Sequence, residues 1–138
     1  MTTTIGKELV VLIVDDEDYI RALLREILSE HEGPEKYKLL EAANGERALD
    51  LVRNQPVDII ITDIKMPGMS GFDLLKMVKS EKPLVGVIVM TAYQDIYSKK
   101  DALLLGAEEY ISKPFDNEEI SLVMKATYWK IMAHRIGR

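Results

Sequence analysis

The sequence predicts a doubly wound α/β fold built on a five-stranded parallel sheet. Short apolar runs of strand length alternate with longer segments of helical period, five times in succession. The first run, residues 9–14, is apolar without a break, which is typical of a strand buried on both faces. Because crossovers between parallel strands are right-handed, successive βα units imply a sheet that is covered by helices on both sides.

The first two βα units follow from this periodicity. After the strand at 9–14, a helix is predicted from apolar residues at i, i+3, i+4, i+7 and i+8. These residues are Ile20, Leu23, Leu24, Ile27 and Leu28. Gly33-Pro34 breaks the chain, and a weaker strand is predicted at 38–42. Asn44-Gly45 then caps a short second helix.

The third and fourth strands both lead into polar residues. The strand predicted at 59–62 continues directly into Asp63. Residues 67–71 have the composition of a turn, and a third helix follows them. The strand predicted at 87–90 ends at Thr91.

The fifth unit has clear helix signals at both ends. A helix predicted at about 95–105 stops at Gly106, a residue type that favours the position after a helix. A short strand at 109–111 precedes Lys113-Pro114. Asp116 and Glu119 have the spacing of a capping box, which begins the last helix.

Composition excludes several classes of function. At 138 residues the chain has room for one domain, and its net charge of −5 argues against direct nucleic-acid binding. We expect no membrane span, because no apolar run approaches ~20 residues. The absence of cysteine and of a signal-peptide pattern at the N-terminus favours a cytoplasmic protein. His31 and His134 lie far apart in the sequence, so a histidine metal site is not expected.

The carboxyl ends of four predicted strands carry polar residues at one edge of the sheet, where ligands of open α/β sheets bind. Asp15-Asp16 follow the first strand, Asp63 the third, Thr91 the fourth and Lys113 the fifth. If the first and third strands are neighbours, three carboxylates meet, and a cation must compensate their charge.

Mg²⁺ suits such a cluster because it is a hard ion that prefers oxygen ligands and keeps several waters. Asp16, Asp63 and the backbone carbonyl of Lys65 are predicted to bind it directly, with Asp15 acting through a water. Lys113 and Thr91 complete a pocket for a phosphoryl group attacked by the Asp63 carboxylate. Ala92 has almost no side chain and leaves that approach open.

These motifs resemble those of the receiver domain of two-component response regulators, the CheY-like family. The resemblance extends from about residue 9 to residue 125. Five motifs match in kind, order and spacing: Asp15-Asp16, the run 63–71, Thr91-Ala92, Tyr110 and Lys113-Pro114.

The resemblance implies a flavodoxin/CheY-like fold with strand order 2-1-3-4-5 and a cis peptide at Lys113-Pro114. It also implies a signalling switch rather than an enzyme. Asp63 would receive its phosphoryl group from a phosphohistidine of a sensor histidine kinase. Thr91 would then move toward Asp63 while Tyr110 becomes buried, which would remodel the surface of the fourth helix, fifth strand and fifth helix.

Some alternatives stay open at this point. A phosphatase of the haloacid-dehalogenase type also uses an aspartate nucleophile, but it needs a second aspartate where this chain has Lys65. A flavin-binding module needs a phosphate loop, whereas residues 15–18 are all acidic. Asp15 could serve only to cap the first helix, and Tyr110 could simply pack. The receiver could stand alone or belong to a longer regulator.

The last helix is longer than one domain requires. We assign residues 5–128 to the receiver domain and 129–138 to a helical extension or linker. Beyond the apolar residues that suffice to cover the sheet, four more follow and predict an exposed patch: Trp129, Ile131, Met132 and Ile136. Such a patch favours association, through the last helix or through the fourth helix, fifth strand and fifth helix, or continuation into an output domain. A frayed terminus or the start of a linker is the alternative.

Overall fold

In a computed structural model of the chain, residues 8–30, 36–92 and 96–137 are described, with the side chains of 96–98 left aside. The described residues form five strands and five helices in strict alternation. The elements are β1 (Glu8–Val14), α1 (Asp18–Ser29), β2 (Lys36–Ala42), α2 (Gly45–Asn54), β3 (Ile59–Asp63), α3 (Gly71–Glu81), β4 (Gly86–Ala92), α4 (Ile96–Leu104), β5 (Glu109–Lys113) and α5 (Asn117–Ile136).

All five strands are parallel and lie in the order β2-β1-β3-β4-β5, which confirms the predicted fold and strand order. β1 lies between β2 and β3, so the first and third strands are neighbours. β1 and β2 begin slightly earlier than predicted, whereas β3, β4 and β5 extend slightly beyond their predicted carboxyl ends. Asp63 is the last residue of β3, and β5 continues to Lys113. The backbone of both Asp63 and Lys113 is therefore fixed by strand pairing.

The sheet separates two hydrophobic cores. Alternate residues of each inner strand point to opposite faces, so Leu12 and Ile60 pack on the side of α2 and α3. Val11 and Ile61 pack on the side of α1 and α5. This double burial explains why the strands read as continuous apolar runs.

Helix signals in the sequence are only partly reproduced. A complete capping box forms at the start of α3, where Ser70 and Asp73 bond each other's backbone N–H groups, inside a stretch interpreted as a turn. At α5, Asp116 accepts from the N–H of Glu119, which is half of the predicted box. Gly106, two residues after the end of α4, adopts a φ of 103°, in agreement with its predicted role in ending that helix.

The last turns of α5 pack against the body of the domain. Ile131 is buried, so its predicted exposure was wrong, whereas Trp129 and Ile136 are 69% and 81% exposed. Ile131 fits because β4 begins with Gly86: a Cβ there would lie 2.7 Å from Ile131 Cγ2. A small residue on the sheet thus makes room for the end of the helix.

Three predictions concern residues outside the described part of the chain. They are the start of the domain at residue 5, the break at Gly33-Pro34, and the start of the fourth helix at residue 95. The helix itself is described from Ile96 onward.

Candidate functional site

Three carboxylates converge at the carboxyl end of the sheet. Asp15 and Asp16 directly follow β1, and Asp63 ends the neighbouring strand β3. Each residue offers a carboxylate oxygen, and these oxygens all lie within 4.8 Å of one another. Asp15 is fully buried and Asp63 nearly so, while Asp16 is exposed. The cluster predicted from the sequence therefore forms, and it could hold a metal ion.

Asp15 forms three hydrogen bonds with residues of β2 and the start of α1. Its Oδ1 accepts from the N–H of Glu17 at 2.8 Å, at the entry to α1. Its own N–H donates to the carbonyl of Ala42 on β2, and its carbonyl accepts from Arg21 Nη1 at 2.6 Å. Asp15 thus bonds the backbone at the entry to α1, but the N-cap residue is Glu17, so the alternative that Asp15 serves only as the helix cap was wrong.

Lys113 bridges the two buried carboxylates. Its Nζ lies 2.9 Å from Asp15 Oδ2 and 3.3 Å from Asp63 Oδ2. Glu17 Oε1 is 3.9 Å from the same ammonium group. The Lys113–Pro114 peptide is cis, as the motif implied. One lysine therefore serves several acidic groups at this edge.

The pKa shifts of Asp63 and Lys113 reflect the excess of acidic over basic groups in this cluster. Burial raises the pKa of Asp63 above its ordinary value, and the charge of Asp15 adds to the rise, while Lys113 opposes it. For Lys113, burial alone would lower the pKa. The hydrogen bond to Asp15 and the charges of Asp63 and Asp15 outweigh burial and raise it. The lysine therefore stays protonated at neutral pH and leaves negative charge uncompensated.

Thr91, Ala92 and Lys65 line the same open depression as Asp16, Asp63 and Lys113. Thr91 is buried at the end of β4, one residue beyond Met90, which pairs with Asp63. Ala92 and Lys65 are exposed beside it. This opening gives a ligand access to Asp63.

Tyr110 lies outside this depression. It is half-buried on β5, three residues before Lys113. Lys99 Nζ of α4 lies 5.6 Å from the centre of its ring, and the Ser112 and Tyr110 hydroxyls are 3.3 Å apart. Tyr110 therefore links α4 to β5 without touching the acidic cluster.

Sequence reasoning missed Gly71, which was interpreted only as part of a turn. A Cβ at this position would lie 2.1 Å from the Asp63 carbonyl oxygen and 2.7 Å from Ile64 Cα. Its N–H donates to the Ile64 carbonyl at 2.8 Å. The start of α3 thus presses directly on the backbone that carries Asp63, and no local sequence signal distinguishes this approach from ordinary turn structure.

Glu17 and Arg21 were also missed. Arg21 connects the Asp15 carbonyl with Glu41 of β2 and with Asp18. The spacing of Asp18 and Arg21 on one helix could have suggested their pairing. The contacts with Asp15 and Glu41 depend on how α1 lies on the sheet.

Comparison with known proteins agrees with this geometry. The response regulator receiver domain family matches residues 11–125. This chain belongs to that family. It is 40% identical over 115 residues to sporulation initiation phosphotransferase F of Bacillus subtilis (strain 168), which covers 83% of this chain and 90% of that protein. It is 38% identical to regulatory protein AtoC of Escherichia coli (strain K12), with 83% of this chain covered but only 24% of AtoC.

Solved receiver structures share the fold. A response regulator receiver domain protein from Clostridium thermocellum superposes with a TM-score of 0.79 at 28% identity, covering 90% of this chain and 98% of that one. The chemotaxis protein CheY4 of Vibrio cholerae gives 0.77 at 28% identity, covering 87% and 98%.

The receiver domain family belongs to two-component signal transduction, in which receiver domains are signalling modules that interact with sensor kinases. Membership of this family therefore excludes the two alternatives, a phosphatase of the haloacid-dehalogenase type and a flavin-binding module. The described residues contain no helix that is long and apolar enough to cross a bilayer.

Proposed function

We propose that this receiver domain is switched by phosphorylation of Asp63 in the presence of Mg²⁺. The observation that carries the proposal is the cluster of Asp15, Asp16 and Asp63, whose carboxylate oxygens lie within 4.8 Å of one another, with Asp15 and Asp63 paired to the same lysine, Lys113. Three acidic groups, two of which pair with the same ammonium group, leave a site that favours a divalent cation. An open depression above Asp63 leaves room for a phosphoryl group.

The donor set fits magnesium. Asp16 and Asp63 supply carboxylate oxygens, Lys65 would add its backbone carbonyl, and Asp15 would act through a water. Hard oxygen donors with open positions for water are what Mg²⁺ prefers. When bound, the ion supplies positive charge that offsets the phosphoryl oxygens and the acidic cluster.

The chemical step requires little from the protein beyond positioning. An Asp63 carboxylate oxygen forms a bond to phosphorus while the phosphorus–nitrogen bond of a phosphohistidine on the sensor kinase breaks. The electron pair of that bond returns to the departing imidazole. Lys113, already 3.3 Å from Asp63, stabilises the charge on the phosphoryl group, and Thr91 offers a hydroxyl beside it.

The structural effect of phosphorylation is proposed to extend from Asp63 through Thr91 on β4 to Tyr110 on β5. Thr91 would move toward the phosphorylated Asp63, and Tyr110 would become more buried between α4 and β5. The contact between Tyr110 and Lys99 supports this, because it ties the ring to α4. The output would be a changed surface on α4, β5 and α5, in a cytoplasmic receiver comprising residues 5–128. That surface, or the extension at 129–138, is also proposed to mediate homodimerisation.

Phosphorylation can be tested directly with acetyl phosphate and Mg²⁺, followed by intact mass measurement. We expect one phosphoryl group per wild-type chain and none on Asp63→Asn. Asp50→Asn is a matched control, because Asp50 is exposed on α2, away from the site. Circular dichroism should show that both variants fold. Labelling of Asp63→Asn at the wild-type level would refute the assignment of the acceptor.

A further inference from the structure

Arg21, on the first turn of α1, bonds three segments that surround the acid pair Asp15-Asp16. Its Nη1 donates to the Asp15 carbonyl at 2.6 Å, and its Nε donates to Glu41 Oε1 of β2 at 3.2 Å. Its Nη2 bonds the Asp18 carboxylate. The side chain of Arg21 is only 14% exposed. The guanidinium group is therefore enclosed where the end of β1, the start of α1 and β2 meet.

The Asp15 carbonyl matters for the site because of the residue that follows it. This carbonyl and the N–H of Asp16 belong to one planar peptide unit. Asp15 is fully buried, whereas Asp16 is exposed, so packing restricts the Asp16 carboxylate less. A hydrogen bond that orients the Asp15 carbonyl therefore also orients the backbone from which the Asp16 carboxylate projects.

Both backbone groups of Asp15 are connected to β2. Its N–H donates directly to the Ala42 carbonyl at 3.2 Å. Its carbonyl is connected through Arg21 to Glu41, the residue before Ala42. The acid pair therefore has a support on β2 in addition to Lys113, which bonds the Asp15 carboxylate.

Arg21 and Lys113 bind the acid pair in different ways. Lys113 pairs with carboxylate oxygens of the cluster, those of Asp15 and Asp63. Arg21 donates to the backbone carbonyl of Asp15 and pairs with carboxylates outside the cluster. Arg21 can thus orient the acid pair without occupying an oxygen that a metal ion would use.

We propose that Arg21 is a positioning residue for the metal site, whose bond to the Asp15 carbonyl directs the Asp16 carboxylate into the acidic cluster. The inference deepens the proposed function and rests on its assignment of Asp16 as a Mg²⁺ ligand. Groups that orient metal ligands commonly contribute about 10- to 100-fold to metal affinity. The planar fork of arginine suits this role, because it can bond several acceptors in fixed directions.

Direct Mg²⁺ binding distinguishes three roles that Arg21 could have. Titration of the ion, followed by the amide resonances of the site, gives the dissociation constant, and urea denaturation in EDTA gives the stability of the same variant. If Arg21 acted by charge alone, Arg21→Ala would bind Mg²⁺ more tightly, because a nearby cation would be gone. If Arg21 only stabilised the fold, stability would fall while the dissociation constant stayed unchanged. We expect instead that Arg21→Ala raises the dissociation constant by about 10-fold or more.

Two further variants provide the controls. Arg25→Ala is matched, because Arg25 also lies on α1 and bonds Glu41, at 2.6 Å from its Nε, but is 47% exposed. It should bind Mg²⁺ like the wild type. Arg21→Lys keeps the charge without the planar fork and should bind Mg²⁺ about as weakly as Arg21→Ala. Unchanged or tighter binding by Arg21→Ala, or full affinity in Arg21→Lys, would overturn the positioning role.

A metal-free measurement allows this inference and the proposed function to fail separately. In EDTA, the backbone order parameter of the Asp16 amide should be that of rigid backbone in the wild type and in Arg25→Ala. In Arg21→Ala it should fall toward the values of flexible segments, and an unchanged value would refute the orienting role of Arg21. A wild type that binds no Mg²⁺ would instead refute the proposed metal site, and the order parameter would still test whether Arg21 orients the acid pair.

Discussion

Buried acidic residues have different partners at the two ends of the sheet. At the amino end, Asp58 Oδ2 accepts from the N–H of Val10 at 2.9 Å, and Oδ1 lies 3.1 Å from Arg135 Nη1. Glu108 accepts from the N–H of Val87 and from Lys79 Nζ, both at 2.7 Å. Each carboxylate there has one backbone donor and one base of its own.

At the carboxyl end, Asp15 and Asp63 share Lys113, with Asp16 beside them. At the amino end, the paired carboxylates join the sheet to helices. At the carboxyl end, the negative charge that Lys113 does not neutralise requires an additional cation. The contrast teaches that an excess of buried acid over base, rather than burial of acid alone, marks the functional end of this sheet. The following predictions test that contrast.

The largest effect is expected from Asp58→Ala. This change leaves the Val10 N–H without its acceptor and Arg135 without its counter-charge in a largely buried site, so unfolding free energy should fall by about 3 kcal/mol. Urea denaturation would measure it. Asp50→Asn, at an exposed position, should change stability by less than about 0.5 kcal/mol. A loss for Asp58→Ala as small as that of the control would show that the amino end is not held by this pair.

Mg²⁺ should act only through the carboxyl end. At a concentration 100 times its dissociation constant, it should stabilise the wild type by about 2.7 kcal/mol relative to EDTA, because it binds the folded state. Thermal unfolding with and without the ion measures this. Asp16→Ala should lose most of the response, whereas Asp58→Ala should keep it. Equal responses of the two variants would remove the distinction between the two ends.

A smaller effect is expected for Asp63→Asn without metal. The raised pKa of Asp63 means that burial and Asp15 disfavour its charged form in the folded protein. That charge therefore costs stability as the pH rises through the folded-state pKa. Removing it should increase stability in EDTA by about 1 kcal/mol at neutral pH, and the gain should disappear under acidic conditions. Denaturation at both pH values tests this, and a loss of stability at neutral pH would contradict the expected repulsion.

The smallest change in stability, less than about 1 kcal/mol, is expected from Thr91→Ala, which removes a buried hydroxyl and a methyl group. The variant should still accept a phosphoryl group on Asp63, because the hydroxyl is not the nucleophile. It should fail to transmit the change to Tyr110. Amide resonances around residue 110, recorded with and without beryllofluoride, would test this. Shifts equal to those of wild type would exclude Thr91 from the route.

The order of elements and the carboxyl-end cluster could be predicted because both depend on local patterns. Apolar period distinguishes strands from helices, and parallel strands bring all their carboxyl ends to one edge. Asp15, Asp63, Thr91 and Lys113 could therefore be placed together, although 98 positions separate Asp15 from Lys113. The sequence by itself thus determined the order of elements and the edge of the sheet at which these residues lie, whereas the adjacency of β1 and β3 was implied by the resemblance to receiver domains.

Only tertiary structure decided how the amino end of the sheet and the end of α5 fit together. Ile131 appears surplus in the helical pattern, yet it is buried because Gly86 leaves space on β4. In the sequence, Asp58 has the pattern of an ordinary loop residue, and only the structure shows its ion pair with Arg135. Gly71 likewise has the pattern of a turn residue, and only the structure shows how closely the start of α3 approaches the Asp63 carbonyl. Periodicity reports which face of an element is apolar, whereas these contacts depend on the shape of a neighbour that is distant in the sequence, and shape is set only when the elements pack.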